Sequence, residues 1–184
     1  GRSNPNMPAG RILPLLNCNQ DCTNPFKDNI TSGINNATFV YPGVLEVSNL
    51  EGVKHTPIMA TTDKGNSYTA QKYELGNPQI LWEKFKEGTK PVVIAYRAVG
   101  KFKSAFPEGV KPSESIEKDS KGESKVKNAP ISVVKESKKD SAVIIFSDVD
   151  FINDQFAFRR TFLGTAAAND NSTLFLNSVE AMSG

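Results

Sequence analysis

The sequence predicts an α/β domain whose core is an open, mostly parallel sheet covered by helices on both sides. Three observations carry this expectation. Two apolar runs, Val92–Tyr96 and Ala142–Phe146, have strand length and no polar alternation, the pattern of strands buried on both faces. A helix signature, Asn77-Pro78 at the start and Gly88 at the end, lies between the strand candidate Thr56–Thr62 and the first of those runs. From Ser141 onward, an apolar strand passes into the acidic turn Ser147-Asp148-Val149-Asp150 and then into two amphipathic segments.

The elements follow in order. Residues 1–10 mix Gly, Pro and Asn and read as an irregular lead-in. Arg11–Leu16 is apolar but broken by Pro14, which suits an edge strand or an extended loop. Residues 17–37 form a loop with one ordered turn near Asn29–Ile34. Thr38–Tyr41 and Val44–Val47 are extended segments parted by Pro42-Gly43. Thr56–Thr62 is a strand, Asp63–Ser67 a turn, and Tyr68–Tyr73 a further short extended segment. Asn77 can accept hydrogen bonds from the free donors of the first helical turn, and Pro78 has no donor to leave unsatisfied. Ile80, Leu81, Lys84 and Phe85 share one face of that helix, and Gly88 suits a left-handed cap. The strand opened by Pro91 reads as central. Residues 56–98 therefore read as strand, helix, strand with a right-handed crossover.

Pro107–Ala129 mixes both charges and has no aromatic residue, the composition of a mobile insertion. Residues 131–139 lead into the strand Ser141–Ser147. That strand is expected to be central and water-excluded, with Asp148 and Asp150 aimed outward at its carboxyl end. Asp150 caps a helix Phe151–Phe158 that buries Phe151, Ile152 and Phe156 and is closed by Arg159-Arg160. Asp170 or Asn171 caps the last helix, where Leu174, Phe175, Ser178, Val179 and Met182 share a face.

At 184 residues the chain suits one domain with a real core. Its net charge of +2 argues against nucleic acid as a partner, since phosphate neutralisation needs a concentrated basic face. No apolar run approaches the roughly 18 residues of a membrane span. Cys18 and Cys22 are spaced by three residues, not the two of redox or zinc-ribbon motifs, and His55 is the only histidine. A local disulfide in an oxidising compartment and a pair of free thiols are the open readings. No metal centre is expected.

The acidic turn is the leading ligand candidate, because ligands of open α/β sheets bind beyond the carboxyl ends of strands. Asp148, Asp150 and Tyr96 are the expected rim. Its oxygens could hold a hard cation, while capping alone also accounts for an aspartate there. Catalysis finds little support: the single histidine, the absence of a Gly-rich phosphate loop and the absence of a nucleophile elbow give no catalytic set and no cofactor site. An amidotransferase-like or hydrolase-type enzyme is the competing class.

Five stretches, in order, resemble one family: Asn29–Asn35, Tyr41–Val47, Gly100–Pro107, Ser147–Phe156 and Asn171–Glu180. They look like the extracytoplasmic domain of GldG-like auxiliary components of ABC-type transport systems, linked in some bacteria to gliding motility. The resemblance spans roughly residues 25–184, and Lys101–Phe106 and Asp148–Phe151 are its most distinctive pieces. It implies a Rossmann-like sheet, a periplasmic or cell-envelope location and anchoring to the inner membrane through segments outside this chain. It implies partnership with a permease and an ATPase, a non-catalytic role in partner or ligand recognition, and the possibility that this chain is the carboxyl-terminal part of a larger domain. At the very end, Val179–Gly184 lacks the tryptophan usual in the family.

Overall fold

The computed structural model describes residues 13–109 and 133–183. Among these, three sheets hold two, three and two strands. All are antiparallel, so the expected Rossmann-like, mostly parallel architecture is not the fold. β1 (Leu15–Cys18) pairs with β2 (Ala37–Val40); β3 (Val53–Ala60), β4 (Val93–Gly100) and β5 (Ser141–Phe146) form the second sheet; β6 (Phe158–Thr161) pairs with β7 (Gly164–Ala167). The helices are α1 (Gln20–Thr23), α2 (Lys72–Leu75), α3 (Pro78–Lys84), α4 (Asp154–Ala157) and α5 (Asn171–Ser183).

Chain direction explains the correction. Thr61 N, just past β3, donates to Val92 O, just before β4, at 2.9 Å, and Gly88 N donates to Lys64 O at 3.1 Å. The two strands thus meet at one end as a long hairpin, and α2 and α3 lie in the excursion between them rather than in a crossover. Ser147 N likewise donates to Ile94 O at 2.9 Å, which sets the end of β5 beside the start of β4. An apolar run and a strand–helix–strand string carry no information on direction, so they fit either topology.

β4 is the central strand, as its apolar run implied, and Ile94 and Ala95 are buried on its two faces. β5 is not central. It is an edge strand, with Ile144 and Phe146 packed on the core while Val143 and Ile145 are 40% and 44% exposed. The expected water-excluded position of Ala142–Phe146 therefore fails: one face is wet because the sheet is only three strands wide and a single face of β5 meets the core.

At α3 the local rules hold at the helix start and fail at its end. Asn77 Oδ1 accepts from Gln79 N and Ile80 N at 3.1 and 3.4 Å, with Pro78 opening α3. The helix stops at Lys84, because Phe85 is already extended. Gly88 serves another purpose: a Cβ there would lie 1.9 Å from Gly65 O across the hairpin. Glu74, buried in α2, receives hydrogen bonds from Lys84 Nζ and from Gln71 N. These, the lysine first, hold its carboxyl below the usual glutamate range.

The single helix expected over Phe151–Phe158 is replaced by a 3-10 turn, Asp150–Ile152, the four-residue α4 and then a strand. Asn153 rather than Asp150 caps α4, its Oδ1 accepting from Gln155 N at 2.9 Å. Arg159 and Arg160 lie in β6, not at a helix end. The last helix is found, with Leu174 and Ser178 buried, whereas Phe175, Val179 and Met182 of the expected apolar face are exposed.

Two compact units divide the described residues. The first takes the chain up to Asn49, His55–Ala98 and the part from Ala142 on; the second takes Leu50–Lys54 and the described parts of Val99–Ser141. In the second, Lys103 and Glu136 form an antiparallel bridge, flanked by Ser104 N to Lys135 O at 2.8 Å and Ser137 N to Phe102 O at 2.9 Å. Most of the insertion expected over 107–129 lies outside the described residues. In the first unit the core gathers Phe39, Phe151, Ile30, Ile58, Ile94 and Leu174. The Phe151 ring stands 5.6 Å from that of Phe39 and 4.8 Å from that of Phe146, within the range of favourable aromatic pairs.

β2 has a strand on one edge only. Tyr41 N donates to Pro14 O, which puts the amides of Ala37, Phe39 and Tyr41 toward β1 and those of Asn36, Thr38 and Val40 on the free edge. That edge is closed by side chains. Asp170 Oδ2 accepts from Asn35 N and Asn36 N, both at 2.8 Å. Asn171 Oδ1 accepts from Thr38 N at 2.8 Å, and its Nδ2 donates to Thr38 O and Phe151 O at 2.8 and 2.7 Å. Asp148 Oδ2 accepts from Val40 N at 2.7 Å.

Asn171 is 1% exposed and satisfies three backbone groups at once. Asn171→Ala is expected to lower unfolding free energy by about 3 kcal/mol, since each orphaned buried group costs about 1–3 kcal/mol. Asn171→Asp keeps the acceptor but turns a carboxylate on two carbonyl oxygens, so it should be no better. Urea unfolding checks this; a change within about 0.5 kcal/mol for Asn171→Ala, the range of a neutral surface substitution, would contradict it.

Candidate functional site

The expected rim was Asp148, Asp150 and Tyr96. Asp148 is half-buried and uses both oxygens internally: Oδ2 accepts from Val40 N, and Oδ1 from Asp150 N at 2.8 Å. Asp150 opens the 3-10 turn that carries Phe151 into the core. Tyr96 is half-buried on β4, two residues beyond the Ile94 carbonyl that receives Ser147 N. Among the described residues no hydrogen bond joins Tyr96 to either aspartate, and no group of three His, Cys, Asp or Glu is placed to hold a metal ion. The turn is built first as a clasp on β2. The hydroxyl of Ser147, at its start, is buried without a partner.

A more open polar arrangement lies around the 3-10 turn Asn29–Thr31. Asp28, preceding it, accepts from Ile30 N on Oδ1 at 3.0 Å, while its Oδ2 pairs with Arg97 Nη2 at 2.8 Å. Asn177 of α5 donates from Nδ2 to Ile30 O at 3.0 Å and Ser32 O at 3.1 Å. These anchors fix a cleft of about 340 Å³ lined by Asn29, Arg97, Asn177, Glu180 and Ala181. A second hollow of about 300 Å³, lined by Thr23, Lys27, Asp28 and Asn35 among others, borders the same turn.

The cleft presents charged and amide groups. Arg97 is a cation held by one buried carboxylate, with guanidinium donors left toward solvent, since its side chain is 37% exposed. Glu180 supplies an exposed carboxylate, and Asn29 an exposed amide. No nucleophile–base pair lies among the lining residues. Sequence reasoning passed over Arg97, although one signal was available: a lone arginine inside the apolar run Val93–Ala98 needs a buried anion.

Cys18, at the end of β1, and Cys22, in α1, are both buried and their thiols are free. The hydrogen bond between the two sulfurs, with burial adding to it, pushes the Cys18 thiol well above its ordinary range, and the same bond holds Cys22 below. His55 is half-buried on β3.

A family described as an ABC-type uncharacterized transport system, its members auxiliary components, matches residues 2–178. The chain belongs to this family. The match covers nearly the whole sequence and includes β2, the cleft residues Asn29, Arg97 and Asn177, and most of α5. Membership associates the chain with an ABC transport system and so with the cell envelope. Among the described residues no helix is long and apolar enough to cross a membrane. No curated protein and no solved structure matches the chain.

The Arg97–Asp28 pair gives a quantitative test. Arg97→Ala would leave the Asp28 carboxylate, whose side chain is 3% exposed, without its cation. Loss of one partner of a buried pair costs about 3–5 kcal/mol, and partial solvent screening of Arg97 lowers this to roughly 2 kcal/mol. Arg97→Lys should recover part of the loss. Denaturant midpoints measure both; an Arg97→Ala protein as stable as the parent would show that the pair does not anchor the turn.

Proposed function

We propose that this chain is a non-catalytic recognition domain of an envelope ABC transport system, of the GldG-like, gliding-motility-associated kind. It lies on the periplasmic side and binds a partner protein or an exported ligand beside the permease and its ATPase. The family match over residues 2–178 carries this reading. The cleft at Arg97, Asn177 and Glu180 supports it, since it offers a fixed cation, an exposed carboxylate and an amide without a catalytic set.

Site-specific photo-crosslinking from Asn29 in native membranes tests the reading. Adducts with the permease or an envelope partner are expected, reduced several-fold by Glu180→Lys, which alters the exposed charge of the cleft and leaves the Asp28–Arg97 pair intact. Crosslinks confined to unrelated cytoplasmic proteins would contradict it.

A periplasmic location would also place Cys18 and Cys22 in an oxidising compartment, where a hydrogen-bonded pair four residues apart closes into a disulfide. Protein purified from that compartment without reductant should be lighter by two hydrogens than the reduced form. Two thiols both open to alkylation after denaturation would count against the disulfide.

A further inference from the structure

The β6–β7 hairpin ends in the most exposed apolar pair of the described chain. Phe162 is 95% exposed and Leu163 is 84% exposed. They form the two-residue turn between Thr161 and Gly164, the last facing pair of the ladder. The tip is held firmly rather than left loose. Thr161 Oγ1 donates to Gly164 O at 2.8 Å, Ala168 N donates to Ala157 O at 2.8 Å, and Asn169 Nδ2 donates to Phe156 O at 2.9 Å. Gly164 takes φ +116, a conformation that favours glycine and lets the turn close.

The charge on this hairpin has one sign. Between Gln155 and Asn169 there are two arginines, Arg159 and Arg160, and no acidic residue. Both are exposed, and among the described residues neither pairs with a carboxylate. A highly exposed aromatic–aliphatic tip begins two and three positions after Arg160 and Arg159, cations without a carboxylate partner among the described residues. A tip entering a protein groove needs no such positive collar, whereas an anionic bilayer rewards both features: apolar side chains pass the headgroup level and arginines meet lipid phosphates.

We propose that the β6–β7 hairpin is a membrane wedge, with Phe162 and Leu163 inserting into an anionic lipid surface and Arg159 and Arg160 binding its phosphates. The proposal does not depend on what occupies the cleft at Arg97.

Flotation of the full chain with protein-free vesicles tests it. Vesicles of phosphatidylglycerol and phosphatidylethanolamine should carry the protein at low salt, and phosphatidylcholine vesicles should carry much less. Phe162→Ser should cut the partition coefficient about tenfold, as expected for losing one large apolar side chain from the lipid. Arg159→Gln and Arg160→Gln should each lower it about fivefold on anionic vesicles only, with added salt removing the difference. Because Phe162, Arg159 and Arg160 are all exposed, these variants should keep the parent's thermal midpoint. Failure of the parent chain to float with anionic vesicles would overturn the proposal, as would unchanged flotation of a Phe162→Ser/Leu163→Ser variant. Retention on native membranes alone, lost in that double variant, would assign the tip to a protein groove and equally reject a lipid partner.

Discussion

The free edge of β2 is the constraint around which the first unit is organised. In a two-stranded ladder each strand leaves one row of backbone donors and acceptors bare, and such a row must be paired, hydrated or covered. Here it is covered by three side chains from distant sequence: Asp148, Asp170 and Asn171. Each also fixes the segment that carries it. Asp148 organises the turn after β5, Asp170 and Asn171 start α5, and Asn171 reaches across to Phe151 O. Side chains thus do the work of a missing strand, and they join the first forty residues to the last forty.

The aromatic core follows from that clasp. With Val40, Thr38 and Asn36 held at three points, Phe39 points inward and meets Phe151, which the Asp148–Asp150 turn delivers and Asn171 secures. Phe146 closes the cluster from β5. Leu174 buries the start of α5, and Asn177 one turn later holds the carbonyls of Ile30 and Ser32, next to the Asp28 that pairs with Arg97. The cleft therefore inherits its geometry from the same helix that completes β2. Placed on such cross-braced elements, the cleft presents fixed charges without a deep apolar pocket.

Local chemistry was legible in the sequence and long-range direction was not. The Asn77-Pro78 start of α3, the strand character of β4 and β5, and the existence of α5 all follow from patterns within a few residues. Parallel order does not, because Val92–Tyr96 and Ala142–Phe146 read the same in either direction. Burial was overstated for Ala142–Phe146: a run without alternation can still sit at an edge with Val143 and Ile145 wet. The stretch after Asp150 was misread as one helix because Phe151, Ile152 and Phe156 have helical spacing, yet Asn153 interrupts it with its own cap. The aspartates looked like ligands because they end a strand. Asp148 instead holds Val40 N, 108 positions away, a partner that leaves no local trace. Arg97 was the one cleft residue with a visible signal, a charge inside an apolar run.

Residue-resolved amide hydrogen exchange tests the clasp most directly. If Asp148, Asp170 and Asn171 close the edge of β2, the amides of Asn36, Thr38 and Val40 will be protected as strongly as those of Ala37 and Phe39, which face β1, and all will exchange together through cooperative unfolding. Exchange of Asn36, Thr38 and Val40 at the rates of open loops, with Ala37 and Phe39 still protected, would contradict the account: β2 would then carry a bare edge.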